Sequence, residues 1–180
     1  MPRLFTALEI PSDIGMTLAL LRGGLPGARW IDVENYHLTL SFIGDIDDAL
    51  ARDVAEALDG VRRPQVEVVL QGVDAFGGDR PKTLYARVQP ALELMELQGA
   101  QERLLRRLGV PIDGRQYTPH VTLARLRSEA TARATADWLA LRGGGGRLVF
   151  TAERFVLYSS RDSVGGGPYI VEEAYDLIGA

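Results

Sequence analysis

The chain has 180 residues, 46% of them hydrophobic and 24% charged, with a formal net charge of −4. That is enough for one domain, or two closely packed lobes, around a sizeable core. The negative balance excludes bulk attraction to nucleic acid, so any phosphate partner must be held by a local cluster. The absence of cysteine excludes disulfides and thiolate metal sites. Met1 to Pro11 has no charged-then-apolar leader pattern, and no apolar run approaches 18 residues. A cytoplasmic chain with no membrane partner is therefore expected. Lys82 is the single lysine among 20 basic residues, so phosphate contacts would come mainly from planar, bidentate arginines.

In chain order, Arg3 to Glu9 alternates as a strand. Ser12 is the expected cap of a helix to about Arg22, ended by Gly23-Gly24 and Pro26-Gly27. Arg29 to Val33 is expected as a short strand, Glu34-Asn35 as a turn, and Tyr36 to Ile43 as a strand closed by Gly44. Asp47 caps a helix from Asp48 to Leu58, with Leu50, Val54, Ala57 and Leu58 on one face. Val66 to Val73 and Thr83 to Val88 read as strands around the loop Gly77 to Pro81. A long helix runs from Pro90 to Leu108, with Leu94, Leu97, Leu104, Leu105 and Leu108 at helical spacing and Gly109 as its stop. Tyr117 to Leu126 is a strand containing Pro119 near its start. Ser128 caps a helix to about Leu141, with Ala134, Trp138 and Leu141 facing inward. Gly143 to Gly146 is a connector, Gly165 to Gly167 a loop, and Leu148 to Phe150, Arg154 to Ser160 and Tyr169 to Leu177 are strands. Several neighbouring strands are joined by loops too short for a parallel crossover, which favours α+β with antiparallel sheets.

One pattern occurs twice. His37-Leu38-Thr39-Leu40 and His120-Val121-Thr122-Leu123 each read histidine, apolar, threonine, apolar, and they contain the only two histidines of the chain. In a strand, residues two apart share a face. Each copy therefore sets an imidazole beside a hydroxyl, with apolar anchors behind. Each histidine strand is followed by a helix and then a strand pair, which points to an internal duplication with the two strands facing each other.

Two imidazoles across a cleft can divide acid and base work, because histidine titrates near neutral pH. Threonine hydroxyls can hydrogen-bond a phosphoryl oxygen, and an arginine can neutralise growing charge. Together these groups suit metal-free cleavage of a phosphodiester, above all a 2′,3′-cyclic one whose ring strain lowers the barrier. The blander readings are strand threonines, core aromatics at Phe5, Tyr85 and Tyr117, and a solvated face at Arg103, Arg106 and Arg107. Neither glycine run is followed by the Lys-Ser/Thr of a phosphate loop, and no His-Glu-x-x-His spacing supports a zinc site.

The paired motifs resemble the two-histidine (2H) phosphoesterase superfamily. Its bacterial and archaeal branch, the RNA 2′,3′-cyclic phosphodiesterases also named 2′-5′ RNA ligases, is resembled by further stretches. These are Arg3-Leu4-Phe5-Thr6-Ala7-Leu8-Glu9, Trp30 with Glu34-Asn35-Tyr36, the segment Gly72 to Val88, Thr118-Pro119-His120-Val121-Thr122-Leu123-Ala124-Arg125, and Phe155 to Ser160. The resemblance implies one bilobal domain over residues 1–180, with two antiparallel sheets and flanking helices related by a pseudo-two-fold and a cleft between the lobes. It implies hydrolysis to a 2′-phosphomonoester without cofactor or metal, with His37 as proton donor, His120 as proton acceptor, and Thr39, Thr122 and Arg125 on the substrate. RNA ends carrying a 2′,3′-cyclic phosphate, tRNA fragments among them, are the expected partners of a monomer. In a regular strand Arg125 would point away from His120, so its role requires a bulge or a strand end. Lys82 and Tyr85 stand where the family often carries Arg and Trp. The rival readings are a phosphodiesterase for a small cyclic phosphate and a module that binds RNA ends without cutting them.

Overall fold

The computed structural model describes residues 3–144, 146–160 and 168–178. Gly145 of the expected connector and the expected Gly165-Gly166-Gly167 loop lie outside the described residues. The strands are β1 (Arg3–Glu9), β2 (Ala28–Trp30), β3 (His37–Asp45), β4 (Val66–Phe76), β5 (Thr83–Val88), β6 (His120–Leu126), β7 (Arg147–Ala152), β8 (Arg154–Ser160) and β9 (Tyr169–Asp176). The helices are α1 (Ser12–Ala19), α2 (Asp48–Leu58), α3 (Leu92–Arg107) and α4 (Ala132–Arg142).

Local chemistry accounts for most boundaries. Asp47 Oδ1 accepts the Leu50 N–H at 2.7 Å and starts α2 as its sequence indicated. The cap of α4 is Thr131, whose hydroxyl accepts the Ala134 N–H at 3.1 Å, and not Ser128. Ser12 is the first residue of α1 rather than its cap, and that helix ends at Ala19, short of Arg22. The expected Arg29 to Val33 strand is cut to Ala28–Trp30, because Val33–Asn35 turns into a 3-10 helix closed by Asn35 N–H to Asp32 O. The packed stripe of α4 runs through Thr135, Trp138 and the partly covered Leu139, so Leu141 is 87% exposed instead of inward. On α3, Leu94, Leu97 and Leu105 are fully buried.

The strands form one antiparallel nine-stranded sheet in the order β7-β4-β5-β6-β3-β1-β8-β9, with β2 also on β6. The α+β class and the antiparallel pairing agree with the sequence, but the two expected sheets are joined into one. The join is thin, since β3 and β6 pair only through Leu38 and Val121. In that register Leu40 would next face Pro119, which has no N–H to extend the ladder. Past Val121 the same edge of β6 is taken by β2, from Ala124 to Leu126. β6 therefore begins at His120 and not at Tyr117.

The two faces of the sheet differ. One main core gathers Ile14 and Leu18 of α1, Val54 and Leu58 of α2, Leu94, Leu97 and Leu105 of α3 and Trp138 of α4 against Leu4, Leu8, Leu38, Leu40, Val121 and Leu123. The other face carries a small cluster of strand residues alone, Phe5, Ala7, Val156 and Tyr158. Alternation along β1 sends Leu4, Thr6 and Leu8 to the helices and Phe5, Ala7 and Glu9 to the open face. Burial of both faces leaves Leu4 to Leu8 almost without solvent contact.

Candidate active site

The open face above the β3–β6 join is where the two histidine motifs meet. Leu38 and Val121 point to the core, so His37, Thr39, His120 and Thr122 point to the open face. In the register of the join, His37 stands across from Thr122 and Thr39 across from His120.

Both imidazoles are held in the same way. His37 Nδ1–H donates to the Asn35 carbonyl at 2.9 Å, and His120 Nδ1–H donates to the Thr118 carbonyl at 2.7 Å. A carbonyl only accepts, so each bond places the proton of the neutral ring on Nδ1 and leaves the Nε2 lone pair for another partner. Aromatic rings wall each imidazole. His37 has Phe5 at 5.1 Å, Tyr169 at 4.9 Å and Tyr158 at 6.0 Å between centroids. His120 has Phe76 at 5.0 Å and Tyr85 at 5.5 Å.

This enclosure has an electrostatic consequence. Burial pushes the His37 imidazole down to about 4, against the bond to Asn35, with the Arg125 guanidinium and the His120 ring adding to the fall. His120 is also lowered from 6.5, first by burial and then by Arg125, against its bond to Thr118. Both lowered imidazoles therefore favour the uncharged form at neutral pH.

Arg125 reaches this site through a bulge. β6 pairs Leu84 with Ala124 but Tyr85 with Thr122, leaving Leu123 as an extra residue. Leu123 and Ala124 both pack into the main core, and the alternation restarts with Arg125 on the open face. β3 carries the same device. Thr6 pairs with Ser41 but Ala7 with Thr39, so Leu40 is extra, and Phe42 restarts on the open face opposite Phe5. The bulged Ser41 N–H donates to Thr6 Oγ1 at 3.1 Å, and the Thr6 hydroxyl donates to Gln101 Oε1 at 2.6 Å, in fully buried surroundings.

Two cavities meet here. A small one of about 180 Å³ is lined by Arg3, Phe5, His37, Thr39, Phe42, Arg125, Ser160 and Tyr169. A groove of about 630 Å³ runs from Thr39, Phe42 and His120 to Phe76, Arg115, Gln116 and Tyr117. The Tyr117 hydroxyl donates to the Thr39 carbonyl at 2.6 Å, a second tie across the join, and burial pushes that phenol up. The five site residues expected from sequence thus lie on one face around one join. Among the described residues, no group of three or more His, Cys, Asp or Glu side chains could hold a metal ion.

Three site features have no sequence signal of their own. They are Phe42, the Tyr117 tie and the Tyr169 wall, all set by pairing between distant strands. Of the aromatics weighed from sequence, Phe5 and Tyr85 are buried against the histidines, and Tyr85 stacks on Phe76 at 3.9 Å.

The sequence itself matches a phosphoesterase family over most of its length. The family model described as LigT like Phosphoesterase covers residues 8–85 and 87–169, and the chain belongs to this family. An RNA 2′,3′-cyclic phosphodiesterase of Aeropyrum pernix is 34% identical over 58% of this chain and 60% of its own length. One of Geobacillus stearothermophilus is 28% identical over 98% of this chain and 57% of its own length. The matches therefore span less than two thirds of these relatives. One of Escherichia coli is 28% identical over 71% of this chain and 74% of its own length. Among solved structures, a phosphoesterase superposes with a TM-score of 0.81 at 23% identity, covering 98% of this chain and 99% of the other. Escherichia coli LigT complexed with 3′-AMP gives 0.80 at 22% identity over the same shares, and these likenesses show the shared fold. No helix among the described residues is long and apolar enough to cross a membrane.

Proposed function

We propose that this protein hydrolyses RNA 2′,3′-cyclic phosphate ends to 2′-phosphomonoesters by paired-histidine acid–base catalysis, without a metal ion or cofactor. The supporting observation is that both Nδ1 atoms are tied to carbonyls, which leaves two Nε2 atoms for proton transfer in one field with Arg125. The names of the relatives give the substrate class.

In this reading His120 Nε2 takes a proton from water, and the water oxygen attacks phosphorus. The bond from phosphorus to O3′ breaks, and His37 Nε2–H protonates O3′. The products are a 2′-phosphomonoester and a 3′-hydroxyl, and solvent resets the two rings. Thr39, Thr122 and Arg125 hold the phosphoryl oxygens. With a 5′-hydroxyl in place of water as the nucleophile, the same groups join ends: the 5′ oxygen bonds phosphorus, the bond to O3′ breaks, and a 2′-5′ phosphodiester and a 3′-hydroxyl result; run backwards with the roles exchanged, the step cleaves that bond. RNA ends, tRNA fragments among them, are the partners of a cytoplasmic monomer whose residues 1–180 form one bilobal domain. The symmetric strand order about the β3–β6 join supports its pseudo-two-fold.

A second allocation, with the histidine roles exchanged, is favoured by the stronger lowering at His37, the ring that more readily stays neutral. A bound phosphodiester anion favours the protonated form of whichever ring serves as acid.

The test is a metal-free assay in EDTA on a short RNA ending in a 2′,3′-cyclic phosphate, with product position read by phosphorus NMR. The expected product is the 2′-phosphate. The kcat/KM profile should be a bell with its maximum below pH 6.5, because both free-site imidazoles are lowered from that value. A 3′-phosphate product, or none at all, would sink the reading.

A further inference from the structure

We propose that Arg29 builds a second phosphate subsite beside Arg125, holding the phosphodiester that precedes the reacting phosphate in an RNA chain. The inference deepens the proposed function and rests on its reading that Arg125 faces the phosphate of an RNA end.

β2 pairs antiparallel with β6, and the register sets Arg29 directly across from Arg125. On either side of that pair, Ala28 faces Leu126 and Trp30 faces Ala124. All four of these neighbours pack on the main core. Alternation therefore sends both arginines to the open face, where the histidines stand. Both are exposed.

Like charges directly opposite each other in a sheet repel. Here no carboxylate relieves the repulsion. Among the described residues, neither Arg29 nor Arg125 makes an ion pair. On the far side of β6 the residue facing Arg125 is Thr83, which carries no charge. Other arginines of the same sheet are neutralised. Arg3 lies 3.9 Å from Asp45, and Arg154 lies 2.7 Å from Glu9. In a chain whose net charge is −4, two facing arginines without a counter-ion form a local cationic site. A phosphate supplies the missing charge and matches the guanidinium fork.

Position selects which phosphate. His37 stands across from Thr122, and Arg125 lies three residues further along β6, at most about 10 Å away. Arg125 lines the small cavity with His37 and Thr39, whereas Arg29 stands outside it. A phosphate seated in that cavity meets Arg125. The next phosphate of the same strand meets Arg29. A nucleotide with one phosphate cannot occupy both places, but an RNA end can. Contacts to the backbone carry no base information, which suits RNA ends of any sequence.

The test reads binding, so it does not depend on turnover. Titration calorimetry with adenosine 2′-monophosphate and with adenosine 2′,5′-bisphosphate gives the ratio of the two Kd values for wild type, Arg29→Ala and Arg29→Lys. The probes differ only in the second phosphate. Wild type should favour the bisphosphate. Arg29→Ala should reduce that preference about fivefold, the scale of one exposed charge pair, and Arg29→Lys should keep most of it. The dinucleotide ApA ending in a 2′-phosphate should lose affinity in Arg29→Ala by a similar factor. Removing one of two facing like charges should not weaken the fold, which circular dichroism checks. An unchanged ratio in Arg29→Ala, or a wild type that binds both probes equally, overturns the proposal. So does a dinucleotide indifferent to Arg29→Ala, which would make the subsite one for a terminal phosphate and not for a chain. A wild type that favours the bisphosphate through Arg29 yet cleaves no cyclic phosphate would instead overturn the catalytic reading and leave the second subsite standing.

Discussion

His37 and His120 differ in what surrounds them rather than in what holds them. Each donates Nδ1–H to the carbonyl two residues upstream, but His37 is the more deeply lowered, with Phe5, Tyr158 and Tyr169 around it. Acid and base can be separated by leaving group. An activated ester such as bis(p-nitrophenyl) phosphate expels a stable anion and needs no proton donor, whereas both esters need a base. If His37 is the donor, His37→Ala should lose at least about 100-fold on the cyclic substrate and far less on the activated one. His120→Ala should lose heavily on both. The reverse pattern would assign the roles the other way round. The pair itself was legible in the sequence, because the chain has only two histidines and each has threonine two residues on. The difference between the rings was not, since it comes from β8 and β9, more than a hundred residues from His37.

At the scale of the element, the bulge does more than the strand. Regular alternation from His120 would have turned Arg125 to the helices, and the extra residue at Leu123 returns it to the histidines. The five-residue spacing showed that a bulge or a strand end was needed; that it is a bulge, and that β3 carries its twin and hence Phe42, was not readable. The join between β3 and β6 has one paired residue on each strand, and the Tyr117 hydroxyl supplies a second tie by bonding the Thr39 carbonyl. Tyr117→Phe should cost about 1–3 kcal/mol in denaturant unfolding, because it leaves a carbonyl without its partner in covered surroundings. It should also lower kcat more than it raises KM, since it loosens the spacing of His37 and His120 after substrate is bound. A stability loss with kcat unchanged would show the tie to be structural only.

Over the whole molecule, the α+β class and most element spans followed from period and turn residues, β1, β5 and β8 to the residue. What periodicity could not give was partnership. β8 and β9 do not complete the half they follow in sequence; they pair beside β1, on the His37 side, while β4 and β5 pair on the His120 side. Such pairing is long in sequence and invisible to local pattern.

That crossing of partners imposes an order in time. A ribosome releases His37 early, yet the edge of β1 that β8 will cover, from Arg3 to Ala7, stays open until Ser160 has emerged. Until then the nascent chain carries an unpaired strand edge, the kind of surface on which polypeptides misassociate. Chains stalled with Ala152 exposed should therefore be cut rapidly within β1 and β3 by added protease. Chains stalled with Asp176 exposed should resist. Equal resistance at both lengths would mean that the first histidine strand folds without its late partners.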